Sequence, residues 1–302
     1  MTVKINSLQH FVINPNSGKM KLSKKRDLIS RITKGKKAKI SIPSSPEQSS
    51  QIAKEAMMAG EIVVACGGDG LQNIVAQQAV TTGGTMAVLP LGRGNDFASS
   101  LKINSIQDAK LALAGQSIHE ARYIVAEFSN HSKIALTCAG VGLLSEAAFR
   151  AAKIPLLKGR ILYSFAALLC FIDLKCHEYA LDLDGVKSKS RNLILAAAAS
   201  EYTGGGIFIA PSARSEPSML NVLSAGAVTR RTAVNLLNKA MHGTHLAHPK
   251  VENRYCSICN LESDATNSWS KLVYGDGEFL GNLPVKLSLG KKPLRVLTPT
   301  DV

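Results

Sequence analysis

A single carboxylate lies among three glycines at residues 67–70, at the point where an apolar strand has to turn into a helix. The stretch reads IVVACGGDGLQNIVAQQ over residues 62–78. Its first five residues have the unbroken apolar character of a buried strand, and apolar residues return at helical spacing directly after Gly70. This pattern predicts a parallel α/β sheet with a ligand-binding turn, because open parallel sheets bind ligands beyond the carboxyl ends of their strands.

Two further turns of this kind follow apolar strands in the N-terminal part of the chain. NPNSGK (Asn14–Lys19) ends the strand candidate HFVIN, and LGRGND (Leu91–Asp96) follows MAVLP. Glycine lets backbone amides approach phosphate oxygens closely, and a helix N-terminus favours an anion. The three turns together predict a nucleotide site. Asp69 would repel phosphate there unless it holds a divalent cation or handles the proton of the acceptor.

The chain changes its pattern at about residue 120. Before this point strands alternate with helices whose starts carry capping signals, Ser45 with Gln48 and Ser105 with Asp108. This alternation predicts a parallel sheet covered by helices. Beyond it, short strands of alternating polarity predominate. We therefore expect an α/β domain over residues 1–120, followed by a strand-rich domain.

Composition narrows the partners and the location. The net charge of +14 favours anionic partners, but only 5% of residues are aromatic and the basic cluster Lys19–Lys39 contains no interleaved aromatic residues, so nucleic acid is not expected. Six cysteines without a secretion signal predict free thiols rather than disulfides. The longest largely apolar run, ILYSFAALLCFI, is shorter than the roughly 18 to 20 residues that span a bilayer. We expect a cytoplasmic protein.

Two groups of residues have spacings that metal ligands also use. Cys256 and Cys259 form a CxxC pair, but RYCSICNLE has the pattern of a strand. His242, His245 and His248 are three residues apart near the end of a predicted helix. A polar loop is the more ordinary explanation for these histidines, so neither group is predicted to bind a metal ion.

An ordered set of motifs resembles the diacylglycerol kinase catalytic family, the lipid kinases that also include sphingosine and ceramide kinases and soluble bacterial members. The NPxSG pattern of the family is met by NPNSG, its GGDGT by GGDGL and its PLGTGNDFA by PLGRGNDFA. YTGGGIFIAPSA (Tyr202–Ala213) and Asp276–Glu278 meet two later motifs. NAD kinases and phosphofructokinases share GGDG alone, whereas the ordered set covers nearly the whole chain.

The resemblance implies a fold of class α/β plus β. A three-layer α/β nucleotide-binding domain, of the NAD kinase and diacylglycerol kinase type, would bind ATP. A β-sandwich domain over residues 121–292 would bind the lipid substrate, with the active site in the cleft between the two. The resemblance also implies that residues 293–302 return to the first domain.

The resemblance further implies transfer of the γ-phosphate of ATP to a hydroxyl of diacylglycerol, a sphingoid base, ceramide or a related lipid. Mg²⁺ is expected at Asp69 and Asp276. The catalytic residues are expected to be Asp69 and Glu278, and the sequence leaves open which of them accepts the proton of the hydroxyl. The residues expected around ATP are Asn14, Ser17, Gly18, Ser44, Gly67, Gly68, Gly70, Gly92, Gly94 and Asn95.

A lipid substrate has to be drawn from a membrane, and one segment suits that task. In residues 151–175, Lys153, Lys158 and Arg160 flank apolar residues, which favours peripheral binding to an anionic surface. Lys158 and Arg160 are also candidates for contacts with phosphate. A lipid substrate at an anionic membrane surface and ATP are therefore the expected partners, and a homodimer is left open.

Two other functions stay open at this point. One is an NAD kinase-like enzyme, and the other is a catalytically silent protein of the same fold that binds nucleotide or lipid. Leu71, Ile74, Leu144 and Pro217 occupy positions where the family usually has other residues, most of them polar, which motivates the silent alternative. The retained acidic residues of GGDG and DGE argue against it.

Overall fold

The computed structural model describes residues 8–34, 37–115, 117–152, 170, 174–264 and 268–299. The chain divides into two compact units. Unit 1 consists of Met1–Ala121 with Lys291–Val302, and unit 2 consists of Arg122–Gly290. The last strand of the chain therefore belongs to the unit that the N-terminal residues form.

The described residues form 17 strands and seven α-helices. The strands are β1 Gln9–Ile13, β2 Ala38–Ser41, β3 Ile62–Gly67, β4 Thr85–Pro90, β5 Ser117–Ala121, β6 Ile124–Glu127, β7 Ser132–Ala135, β8 Cys138–Gly142, β9 His177–Leu183, β10 Val186–Ala198, β11 Leu220–Gly226, β12 Val251–Cys256, β13 Ile258–Glu262, β14 Leu272–Gly275, β15 Glu278–Asn282, β16 Val285–Leu289 and β17 Leu294–Thr298. The helices are α1 Leu22–Thr33, α2 Pro46–Met58, α3 Asp69–Thr82, α4 Asp96–Ser100, α5 Ile106–Gly115, α6 Leu143–Ala152 and α7 Arg230–Met241. Short 3₁₀ turns occur at His245–Ala247 and Ser268–Lys271.

Unit 1 contains a six-stranded sheet in the order β2-β1-β3-β4-β17-β5. The first five of these strands are parallel, and β5 runs antiparallel to β17. From β1 the chain passes through α1 to β2 on one side, whereas from β3 it passes through α3 to β4 on the other. The chain thus changes direction across the sheet between the neighbouring strands β1 and β3. Such a topological switch point is where open α/β sheets form a crevice for a ligand.

The helix caps of unit 1 agree with the sequence pattern except in one detail. At α5 the Ser105 Oγ accepts the N–H of Asp108 at 3.1 Å, and the Asp108 carboxylate accepts the N–H of Ser105 at 2.9 Å. At α2 the Ser45 Oγ accepts the N–H of Gln48 at 3.2 Å. The Gln48 side chain, however, accepts the N–H of Ser44 at 2.7 Å rather than that of Ser45. The second half of this predicted capping box is thus shifted by one residue.

Unit 2 is an antiparallel, sandwich-like β domain. Nine of its strands follow the order β15-β14-β8-β10-β9-β13-β16-β6-β7, and β11 pairs with both β10 and β12. Inward-facing side chains such as Tyr179, Leu195 and Leu287 form its main apolar core. The β9–β10 hairpin turns at Asp184 and Gly185, whose φ angles of 51° and 92° suit the tight turn that this dipeptide predicts.

All six cysteines are free thiols. Cys256 ends β12 and Cys259 lies in β13, so RYCSICNLE forms two strands instead of the single strand that its pattern predicts. Both thiols are buried in the core of unit 2. The hydrogen bond with Cys256, together with burial, raises the pKa of Cys259, which disfavours the thiolate that a metal site would need.

Candidate functional site

The three glycine turns of unit 1 lie next to one another at one edge of its sheet. We call Asn14–Lys19 the first glycine turn, Gly67–Gly70 the second and Leu91–Asp96 the third. The N–H of Asn14 donates to the Cys66 carbonyl at 3.1 Å, and the N–H of Leu91 donates to the Gly67 carbonyl at 3.1 Å. The ladders of the parallel sheet thus continue into the turns, with the second turn between the other two.

Glycine is required where these turns touch. A Cβ atom on Gly18, whose φ is +64°, would lie 2.1 Å from the Leu91 carbonyl oxygen. A Cβ on Gly92 would lie 2.2 Å from the Gly68 Cα atom. Because both neighbours are backbone atoms, no side-chain rotation could relieve the overlap. The backbone of the third turn therefore meets those of the first and second turns directly at these two points, without a side chain in between.

Asp69 connects the second turn to the third. It is the first residue of α3, and its Oδ2 accepts the N–H of Asn95 at 2.9 Å. Asn95 has a φ of 59°, and its Oδ1 accepts the N–H of Gly92 at 3.1 Å. The N-terminus of α3 stabilises the negative charge of Asp69. The carboxylate among the glycines therefore has a structural task, which is to hold the Asn95 turn in place.

Two buried side chains that the sequence analysis did not single out contact the turns from their buried side. Lys25 of α1 donates to oxygens of the first turn, and Gln72 of α3 lies close to the Gly67 carbonyl (3.4 Å) and the Asn95 Oδ1 (3.5 Å). Both side chains have 0% relative exposure. The sequence does carry a signal for Lys25, because this lysine lies three residues after Leu22 and four before Ile29, on the apolar face of α1.

The other residues predicted to bind nucleotide are placed as follows. Gly67 is buried at the end of β3, where a Cβ would lie 2.9 Å from the Leu71 side chain. Gly70 is the second residue of α3, and Gly94 directly precedes Asn95 in the third turn. Ser44 is exposed three residues beyond β2, and its N–H and hydroxyl both contact the Gln48 side chain of α2.

Asp276 and Glu278 lie in and beside the β14–β15 hairpin turn of unit 2. Asp276 and Gly277 have φ angles of 53° and 83°, as a two-residue hairpin requires. The Asp276 carboxylate accepts the N–H groups of Leu136 and Thr137 and the Thr137 hydroxyl, the last two at 2.9 and 2.6 Å. These contacts give Asp276 a structural role in anchoring the turn, and they lend no support to its predicted role in binding Mg²⁺.

Glu278 differs from Asp276 in its surroundings. Its side chain is exposed at the first position of β15. The surrounding protein partly desolvates the carboxylate and thereby raises its pKa, an effect that Lys133 opposes and Asp276 reinforces. A glutamate with a raised pKa is suited to accept a proton near neutral pH.

Unit 2 contains an apolar cavity of about 130 Å³. Residues Gly275 to Gly277, which lead into Glu278, form part of its wall. Leu144, one of the residues that differ from the usual pattern of the family, also lines it. Glu146, two residues further along α6, is paired with Arg150 at 2.6 Å. The remaining wall is mainly aliphatic, with Leu143, Ala148, Leu193, Ile194, Leu236 and Ala240 among its residues.

The structure gives no protein cage for a metal ion in the part of the chain that it describes. No group of three or more His, Cys, Asp or Glu side chains suited to a metal occurs among these residues. His242 is exposed, whereas His245 is buried with its Nε2 2.8 Å from the Ile209 carbonyl oxygen. The three-residue spacing of the histidines therefore does not bring them into a common site.

The proposed membrane segment falls largely outside the described residues. Lys153, Lys158 and Arg160 and nearly all of the apolar run after them belong to the part that the structure does not describe. Within the described ranges, no helix is both long and apolar enough to cross a bilayer.

Comparison with known families agrees with this geometry. A family model described as the diacylglycerol kinase catalytic domain matches residues 9–148. A second, described as the YegS C-terminal NAD kinase beta sandwich-like domain, matches residues 137–298. The chain belongs to the diacylglycerol kinase catalytic-domain family. This membership supports a kinase and accounts for the α/β unit followed by the antiparallel β unit.

Individual members of the diacylglycerol kinase family are similar to this chain over most of its length. The diacylglycerol kinase of Mycobacterium tuberculosis is 26% identical over 245 residues, which cover 79% of this chain and 77% of that protein. The diacylglycerol kinase of Bacillus subtilis is 21% identical over 254 residues, 82% of each chain. A crystal structure of a diacylglycerol kinase from Bacillus anthracis superimposes with a TM-score of 0.73 at 14% identity and 98% coverage of both chains, which shows the shared fold.

Proposed function

We propose that this protein is a lipid kinase that transfers the γ-phosphoryl group of ATP to a hydroxyl group of a lipid. The observation that carries the proposal is the joining of the three glycine turns at the switch point of the unit 1 sheet. Gly18 packs against Leu91 and Gly68 packs against Gly92 so closely that no Cβ would fit. Membership of the diacylglycerol kinase family supports the reaction class.

The glycine turns suit the phosphates of ATP. Backbone amides at their half-buried glycines can approach an anion closely because glycine has no side chain, and the N-terminus of α3 adds a favourable partial charge. Loose phosphoryl-transfer transition states need positioning and neutralisation of charge more than covalent chemistry by the protein. Asn14, Gly18, Gly68, Gly92 and Asn95 are proposed to supply that positioning.

The residues present also fit Mg²⁺ in the manner usual for nucleotide enzymes. Mg²⁺ is commonly bound by one or two carboxylates, waters and substrate phosphates rather than by a complete protein cage. Asp69 is the acidic residue of the second glycine turn and would hold the ion. When bound, Mg²⁺ neutralises charge on the phosphate oxygens.

The features of unit 2 suit a lipid acceptor. An alkyl portion of the lipid would occupy the apolar cavity, because aliphatic side chains form most of its wall. Glu278 directly follows the wall residues Asp276 and Gly277, and we assign the lipid hydroxyl to the neighbourhood of this acid. Leu144 adds apolar surface to the same cavity.

Glu278 is the better candidate for the base. Its pKa is raised, and its side chain is exposed to an incoming hydroxyl. Asp69, by contrast, accepts the N–H of Asn95 and is stabilised in its charged form by the N-terminus of α3. In the proposed reaction Glu278 accepts the proton as the lipid oxygen bonds to the γ-phosphorus. The bond from that phosphorus to the bridging oxygen breaks, and ADP leaves with both bonding electrons.

Access to a lipid in a membrane would depend on charge. Exposed basic side chains begin with Lys19 at the end of the first glycine turn and with Lys21, and they continue on α1 with Lys24, Arg26 and Arg31. Each basic residue near an anionic surface contributes about 1 kcal/mol of attraction. We therefore expect stronger association with anionic than with neutral vesicles, and a loss of association at high salt.

A phosphate-transfer assay tests the proposal. The purified protein is incubated with Mg²⁺ and ATP labelled at the γ-phosphate, together with vesicles that contain diacylglycerol, sphingoid base, ceramide or monoacylglycerol, each in a separate reaction. The expected result is label in the lipid fraction of at least one reaction. NAD is the acceptor in a further reaction. Label on NAD, or bound ATP without transfer to any lipid, would refute the lipid-kinase assignment.

A further inference from the structure

Lys25 is a buried cation whose side chain forms its hydrogen bonds with the first glycine turn. Its side chain has 0% relative exposure, although its neighbours Lys24 and Arg26 on α1 are exposed. The Lys25 Nζ lies 2.7 Å from the Asn14 carbonyl oxygen and 2.8 Å from that of Ser17. It also lies 3.0 Å from the Ser17 Oγ and 3.2 Å from the Pro15 carbonyl oxygen.

These contacts explain how a lysine can be buried at this position. An ammonium group without partners is costly to remove from water, and burial accordingly lowers the pKa of Lys25. Hydrogen bonds to carbonyl oxygens offset that cost, and bonds from a charged donor are stronger than those between neutral groups. The ammonium group therefore keeps these carbonyl groups of the first turn directed towards Lys25 of α1.

The direction of the Ser17 carbonyl determines the direction of the N–H group of Gly18, the next residue. In a trans peptide unit the C=O and N–H bonds point in opposite directions. Because the Ser17 carbonyl points towards Lys25, the N–H of Gly18 points away from it. Gly18 is also the residue whose Cα packs against the Leu91 carbonyl, which fixes its position relative to the third turn. Lys25 thereby prepares an outward-facing amide of the kind that binds phosphate oxygens.

We infer that Lys25 is a positioning residue for the nucleotide: it sets the conformation of the first glycine turn and so the affinity for ATP, without touching ATP. This inference rests on the proposed function. It differs from direct contact between a lysine and phosphate, because the Lys25 ammonium group is fully buried and bonded to the turn. Loss of the ammonium group should therefore weaken ATP binding and leave lipid recognition, which the proposed function assigns to unit 2, unchanged.

The test compares Lys25→Met with Lys54→Met, the same change at an exposed lysine of α2. Equilibrium binding of ATP is measured by calorimetry, and KM for ATP, KM for the lipid and kcat are measured separately. In Lys25→Met the Kd and KM for ATP are expected to rise at least about tenfold, since several charge-assisted hydrogen bonds are lost. The KM for the lipid should not change, and Lys54→Met should behave as wild type.

The outcomes separate the inference from the proposed function. Unchanged ATP affinity in folded Lys25→Met would overturn the inference alone, as would an equal rise in the KM values for ATP and lipid. If Lys25→Met does not fold, Lys25→Gln, which keeps two donors, and Lys25→Arg, which keeps the charge, are measured by the same criteria. Failure of all three to fold would assign Lys25 to stability only and overturn the inference. A wild-type protein that does not bind ATP would overturn both proposals.

Discussion

Replacing Gly92 with alanine should separate the second and third glycine turns. The added Cβ would lie 2.2 Å from the Gly68 Cα, 2.9 Å from the Gly68 N and 2.7 Å from the Asn95 Oδ1. Since carbon atoms in contact are ordinarily about 3.5–4.0 Å apart, the two backbones would have to move apart by roughly 1.3–1.8 Å. Overpacking of this kind costs about 1–3 kcal/mol of stability.

The functional loss should match the upper end of the loss of stability, because 100-fold in rate corresponds to about 2.7 kcal/mol. A displacement of about 1 Å at groups that position a substrate can cost on the order of 100-fold in rate. We expect kcat/KM for ATP to fall about 100-fold in Gly92→Ala, while the melting temperature falls by roughly 2–12 °C, at about 2–4 °C for each kcal/mol of lost stability. Calorimetric ATP binding, initial rates at varied ATP concentration and thermal unfolding measure these effects.

Gly115→Ala is the matched control for this change. Gly115 ends α5, and a Cβ on it would meet no atom within 4 Å. This variant should keep wild-type ATP affinity. If Gly92→Ala bound ATP as tightly as both Gly115→Ala and wild type, the close approach of the two turns would not be what forms the nucleotide site, and the reasoning would be refuted.

Three further predictions concern the base, the cavity and the pH dependence of stability. Glu278→Gln should lower kcat by about 100-fold or more. Because the pKa of Glu278 is raised, the activity of the wild type should fall with decreasing pH at a pH above the ordinary pKa of glutamate. In Glu278→Gln this acidic fall in activity should be absent. Ala240→Phe should fill part of the apolar cavity and raise KM for the lipid, and a change in ATP affinity instead would contradict the assignment of the cavity. Burial by itself would raise the pKa of Glu61, but hydrogen bonds from Lys39 and His10 lower it overall. The stabilisation from Glu61 should therefore be present above the ordinary glutamate pKa and disappear as the pH falls through the lowered pKa. The difference in melting temperature between wild type and Glu61→Gln should accordingly shrink in acid. A difference that stays constant with pH would contradict this role of Glu61.

The sequence predicted the elements whose signals are local. The strand–turn–helix pattern around Gly67–Gly70 and the caps at Ser45 and Ser105 depend on residues within four positions of one another, and the structure has them. The Gln48 contact was misplaced by one residue because two adjacent N–H groups, of Ser44 and Ser45, lie within reach of one flexible side chain. A residue pattern alone does not decide between such nearly equivalent partners.

Roles that depend on distant residues were not predicted. The role of Asp276 in binding Mg²⁺ stays a prediction, whereas the hydrogen bonds of its carboxylate to Leu136 and Thr137, about 140 positions earlier in the chain, were not predicted. The spacing of Lys25 on the apolar face of α1 is a signal for its burial, but its hydrogen bonds to the first glycine turn became visible only in the tertiary structure. Hydrogen bonds of this kind leave no spacing signal, because the chain between the partners can have any length.

The sequence by itself therefore determined that strands end in glycine turns, that these turns lie at one edge of a parallel sheet, and that acids accompany them. Only the tertiary structure decided that Gly18 meets Leu91, that Gly68 meets Gly92, and that Asp69 holds Asn95. The physical reason is that secondary structure follows from the periodicity of neighbouring side chains, whereas the contact of two turns depends on strand order and on backbone distances within a few tenths of an ångström.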